Sequence, residues 1–241
     1  MTRRARVARC LLAGVLVIAA SSTALAESSG EVSGAVERGR ALIEEYRYAR
    51  AVEELELVAY HASAPLRTRM EALEVLGVLH ASRGREGSAR RAFEQLLTLD
   101  PGHSLSEASA THRERDFFAD LRESFTPEIT ATIEVGAPER VPRRGPMRIV
   151  ATLGGDVASV VQVALFYRPE VEVAFTRVAM EREGLTYTAE VPHPGEGLAL
   201  DYYVEAQAPS TYPLASAGSI EEHLTIQPAW DEGQQPVEEP G

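Results

Sequence analysis

Residues 70–103 read MEALEVLGVLHASRGREGSARRAFEQLLTLDPGH, and this stretch decides the first half of the fold. Apolar and small residues recur three and four apart at Leu73, Leu76, Gly77 and Leu79, then at Ala89, Ala92, Phe93, Leu96 and Leu97. Each set draws one apolar stripe along a helix. Arg83-Gly84-Arg85-Glu86-Gly87 breaks the chain between the two stripes, and Asp100-Pro101-Gly102 ends the second. Two helices joined by so short a turn form an antiparallel pair. Upstream the same pattern runs through Val36, Leu42 and Ile43, then Ala51, Val52, Leu55, Val58 and Ala59, and stops at Ala64-Pro65. Downstream, Phe117, Phe118, Leu121 and Phe125 share one side of a helix predicted over 111–125.

Counted from Met70, Leu76-Gly77, Ala89, Phe93 and Pro101 fall where a tetratricopeptide repeat has its Leu-Gly pair, its small residue, its aromatic and its closing proline. The stretch resembles such a repeat, with His80 in place of the usual Tyr. A weaker copy over about 32–65 has Gly39, Ala51 and Leu55 at the matching positions. Ala51 and Ala89 lie 38 residues apart, which implies a four-residue insertion at Leu66 to Arg69 between the copies. The resemblance implies an array over 32–125, with repeats at 32–65 and 70–103 and a capping helix at 111–125. It also implies a concave face formed by Val36, Arg40, Ile43, Glu44, Glu71, Glu74, Val78 and Ala81, where relatives hold an extended peptide or helix of a protein partner. Two repeats and a cap are also short enough to serve as a spacer or a dimer surface, so a homo-oligomer stays open.

After Thr126-Pro127 the period falls from 3.6 to 2 and Val, Ile, Thr, Tyr and Phe replace the helix formers. Seven runs follow, at 129–135, 147–153, 160–167, 173–180, 185–191, 198–207 and 219–226. Alternation makes Val161, Val163, Leu165 and Tyr167 core candidates in the third, Leu185, Tyr187, Ala189 and Val191 in the fifth, and Leu200, Tyr202, Val204 and Ala206 in the sixth. That count predicts an antiparallel, seven-stranded immunoglobulin-like β-sandwich over 128–227. The segments Leu165-Phe166-Tyr167-Arg168, Tyr187-x-Ala189-x-Val191-Pro192 and Leu200-x-Tyr202-Tyr203-Val204 resemble an immunoglobulin or fibronectin III-like domain exported by myxobacteria-like Gram-negative bacteria. The expected fold class is therefore multidomain, a helical array followed by a sandwich.

Arg3, Arg4, Arg6 and Arg9, the apolar run Leu11 to Ala20 and the small residues Ala24 and Ala26 make 1–26 a secretory signal peptide. The apolar run is shorter than the roughly 20 residues of a spanning helix, so membrane attachment would come only through an uncleaved signal. The mature chain is expected in the periplasm or secreted, and it loses Cys10, the single cysteine. Without its four signal arginines the formal charge moves from −12 to −16, which disfavours nucleic acid as a partner. The acidic, Pro- and Gly-rich segment 228–241 reads as a disordered tail.

Six histidines are present but none pair at i, i+4, and no nucleophile elbow, zinc-protease or phosphate-loop motif occurs. Neither catalysis, nor a cofactor, nor a metal site is expected. The expectation is a protein-protein interaction or scaffolding role in the bacterial envelope. A glycan- or peptidoglycan-binding sandwich is the alternative, with Tyr203, Phe166 and Tyr212 as its aromatic candidates.

Overall fold

A computed structural model describes residues 34–228. The expected signal peptide and the tail beyond Pro228 lie outside the described residues. Within them, helices precede strands: a mixed α and β chain with two antiparallel sheets. Its contacts gather it into two compact units, one holding 34–93 and 106–116, the other 94–105 and 117–228. No described helix is long and apolar enough to cross a membrane.

Five helices are described: α1 at 34–44, α2 at Tyr48–Ala59, α3 at Leu66–Ser82, α4 at Glu86–Leu99 and α5 at His112–Ser124. In α2 the buried residues Ala51, Leu55, Val58 and Ala59 fall on one stripe, as the 3.6 period requires. In α3 the buried residues Met70, Ala72, Leu73, Leu76, Gly77, Leu79 and His80 cover one half of the helix, and Glu71, Glu74, Val75 and Val78 on the other half are half-buried. The residues Leu66 to Arg69 form the first turn of α3, with the Arg69 amide closing on the Pro65 carbonyl at 3.0 Å. Four residues make about one turn, so this turn leaves the phase of the stripe that follows nearly unchanged.

The two helix pairs repeat each other at an offset of 38 residues. A Cβ on Gly39 would stand 2.7 Å from the Leu55 side chain, and one on Gly77 would overlap the Phe93 ring. Glycine there lets the paired helices approach until the large side chain touches backbone. Ala51 and Ala89, both fully buried, play the same part from the second helix of each pair. At the start of α5, Thr111 and Glu114 form a capping arrangement: Glu114 Oε2 accepts the Thr111 amide at 2.8 Å and its hydroxyl at 2.6 Å.

Nine strands are described: β1 Thr132–Gly136, β2 Met147–Gly154, β3 Gln162–Pro169, β4 Thr176–Ala179, β5 Glu181–Glu183, β6 Thr186–Val191, β7 Leu200–Gln207, β8 Pro213–Ala217 and β9 Leu224–Ile226. One sheet has the order β1-β2-β6-β5. The other runs β4-β3-β7-β8, with β9 also pairing β7. Ile149, Ala151 and Leu153 from one sheet and Val163, Leu165 and Val204 from the other join a single apolar cluster.

Two strands go beyond the seven runs. The run 173–180 supplies β4, after which Met180 is buried and the chain changes sheet to enter β5. β8 is five residues of weak alternation at an edge, with Pro213 at its first position, where no ladder amide is needed. The run 219–226 contributes strand only at its last three residues. Val161 and Leu185, expected in the core, are 54% and 51% exposed. Both precede the first residue of their strands, where the pleat no longer dictates which way a side chain points.

Candidate binding groove

A concavity of about 440 Å³ opens between α1 and α3. Arg40 and Ile43 of α1 face Glu74, Val75, Val78 and Leu79 of α3 across it, and Ser106, Ala108 and Ser109 close one side. A second concavity of about 360 Å³ shares Val78, Ser82, Ala108 and Ser109 and continues past Thr111 to Glu114. The residues 75, 78, 79 and 82 are spaced i, i+3, i+4, i+7, so a single stripe of α3 floors both.

Arg40, Ile43, Glu74 and Val78, four of the eight residues expected on the concave face, line the groove. Val36 is 1% exposed and packs inside the helical unit, where it cannot present a side chain to a partner. Glu71 pairs with Arg67 at 3.3 Å, Glu44 is exposed and Ala81 half-buried, and none of the three lines either concavity. Val75, Leu79 and Ser82 were legible as continuations of the α3 stripe. The segment 106–109 has no periodicity, and only the folded chain brings it over α3.

The serine hydroxyls of the groove are spent at home. Ser82 donates to the Leu79 carbonyl at 2.9 Å, Ser106 to the Ser109 hydroxyl at 3.1 Å, and Ser109 to the Ser106 carbonyl at 3.1 Å. Arg40 reaches Glu37 at 3.1 Å on the open surface. What remains to recognise a ligand is an apolar wall of Ile43, Val75, Val78, Leu79 and Ala108 with charge at its rim. Such a wall can bury an apolar side chain.

A second polar cluster lies on β7. Asp201, 7% exposed, accepts Thr225 Oγ1 at 2.9 Å, stands 3.2 Å from His223 Nε2 and is approached by Arg168 at 3.4 Å. The carboxylate therefore ties β9 and its preceding turn to the sheet. Beside it Phe166 and Tyr203 stack at 4.5 Å with 5° between ring planes, Phe175 meets Tyr203 edge-on at 5.1 Å, and Arg168 lies 4.4 Å over Phe175. Two of the three aromatics suggested for a glycan platform thus spend a ring face on each other. Burial pushes the Tyr202 and Tyr203 hydroxyls above the ordinary phenol value, with Glu205 adding to Tyr203. Among the described residues no three His, Cys, Asp or Glu side chains converge as a metal site.

Compared with known proteins, the chain matches no protein-family model and no curated protein. Among solved structures, one titled "Crystal structure of Br derivative BhCBM56" aligns with a TM-score of 0.30 and 12% identity, covering 42% of this chain and 96% of that one. A likeness that weak carries no argument about function.

Proposed function

We propose that the chain is a non-catalytic interaction protein of the bacterial envelope, in which a tetratricopeptide-like array holds a protein segment and an immunoglobulin-like sandwich follows it. The observation that carries the reading is the apolar groove between α1 and α3, whose hydroxyls are already satisfied and whose rim carries Arg40 and Glu74. Support for the array comes from the offset of 38 residues, which relates Gly39 to Gly77, Ala51 to Ala89 and Leu55 to Phe93 in the same packing roles. Support for the sandwich comes from two antiparallel sheets sharing one core. Export rests on the arginine-led apolar run and the alanines of residues 1–26.

A groove of this kind takes apolar anchors at alternate or helical spacing from a partner, with flanking charge setting the register. Affinity capture from an envelope extract tests it, with residues 27–241 as bait beside the Val78→Asp and Arg40→Glu variants. The expected result is a protein captured by the wild type and lost with Val78→Asp, while circular dichroism shows the helices intact. Identical capture by all three baits removes the groove from the function.

A further inference from the structure

The α1–α2 and α3–α4 turns are the same turn, built once with tyrosine and once with glycine. After α1 the Tyr46 amide donates to Ile43 O at 3.0 Å and the Arg47 amide to Leu42 O at 2.8 Å. After α3 the Gly84 amide donates to Ala81 O at 3.0 Å and the Arg85 amide to His80 O at 2.9 Å. The spacings agree bond for bond, and both central residues are left-handed, with φ of 60° at Tyr46 and 70° at Gly84. This is a Schellman-type helix end, where glycine is the residue that meets no Cβ penalty. Gly84 obeys that rule. Tyr46 does not, and its side chain does not contribute to the core, because it is 79% exposed. Tyrosine there costs backbone strain and returns almost no burial.

The neighbourhood points to what the ring is kept for. Tyr46 meets Tyr48 edge-on at 6.1 Å, and the Arg83 guanidinium lies 4.0 Å over the Tyr48 ring, which joins the two turns into one aromatic and cationic surface. Arg50, Arg83 and Arg85 make no ion pair among the described residues, whereas Arg47 reaches Glu45 at 3.1 Å. Glu44 and Glu86 are the other carboxylates carried on or beside these turns. In a chain of formal charge −12, Arg83 over the Tyr48 ring, Arg85 two residues on and Arg50 in the first turn of α2 are three arginines outside any described ion pair against the two carboxylates Glu44 and Glu86. Tyrosine and arginine are also the residue types that dominate binding energy at protein interfaces.

We infer that the Tyr46–Tyr48–Arg83 surface is a second docking site, distinct from the groove, and that it takes an extended, carboxylate-bearing segment of a partner protein. The ring of Tyr46 packs on the apolar part of that segment while Arg50, Arg83 and Arg85 meet its carboxylates. Long-range repulsion by the net negative chain grows with the total charge of the ligand, so it opposes a phosphate backbone or an anionic membrane far more than a short segment with a few carboxylates that meets the arginines directly.

The test uses the full mature chain and a fluorescent peptide alternating glutamate and proline, since proline keeps it extended and packs on tyrosine faces. Anisotropy should show saturable, salt-sensitive binding that the glutamine counterpart lacks. Tyr46→Gly is the decisive variant, because it places at the turn the residue that the turn prefers. It should melt at or above the wild-type temperature yet bind about tenfold or more weakly. Tyr46→Phe should retain binding, and Arg83→Gln should weaken it. Val78→Asp in the groove should leave it unchanged, which separates this inference from the proposed groove function. Unaltered peptide affinity in Tyr46→Gly overturns the inference. So does a lack of saturable binding up to about 1 mM, or retention on duplex DNA or anionic vesicles in place of the peptide.

Discussion

Gly77 shows how much one missing methyl group can decide. The Phe93 ring occupies the space that a Cβ would need, and Phe93 is itself fully buried, so neither partner can yield without opening the helix pair. Gly77→Ala gains helix propensity but overpacks the contact, and the second effect is larger. The expected outcome is a net loss of about 2 kcal/mol, read as a lower urea midpoint. His80 sits in the same helix and is buried. Burial, then the Arg85 guanidinium, holds its pKa below the ordinary imidazole value; Glu56 opposes this and Arg91 adds to it. The unfolded chain therefore takes up a proton near pH 6.5 that the folded one refuses. Stability from this group is complete above about pH 6.5 and declines as the pH falls below it. Unfolding in urea at pH 7.5 and 5.5 should show a larger acid loss in the wild type than in His80→Gln.

The helices and strands differ in how fully local pattern describes them. Helix α5 carries its own start signal: Thr111 and Glu114 satisfy each other before the first turn, and Glu114 is buried while doing so. Glu114→Ala frees the Thr111 amide and hydroxyl and should cost about 1 kcal/mol, measurable as a lower melting temperature, with Glu114→Gln keeping part of it. Helix positions were legible because a period of 3.6 over a dozen residues is strong evidence. Strands β5 and β8, of three and five residues, give too few alternations to register. The reading of β7 was incomplete for another reason: besides its core face, Asp201 and Tyr203 are buried on the opposite one. The turn before β9 and the β3–β4 loop cover them, through His223 and Phe175.

At the scale of the molecule, the unit that holds the sheets also takes in residues 94–105. Asp100, 1% exposed, accepts the Ser210 amide at 2.9 Å and the Ser210 hydroxyl, and it also holds the Gly102 amide at 3.2 Å. The end of α4 is thereby fastened to the turn between β7 and β8. Asp100→Ala removes a charged acceptor from two partners across this tie and should cost about 2 kcal/mol. Faster hydrogen exchange along β7 and β8, with α2 unaffected, is the expected signature; uniform change through both units would contradict it.

The order of helices before strands and the apolar stripes follow from the sequence alone, because periodicity acts over a few turns of one element. The strand order, the closure of the groove by 106–109 and the tie between Asp100 and Ser210, 110 residues apart, were decided only by the tertiary structure. Each joins side chains with no fixed spacing along the chain, so packing chooses the partner and no local pattern announces it.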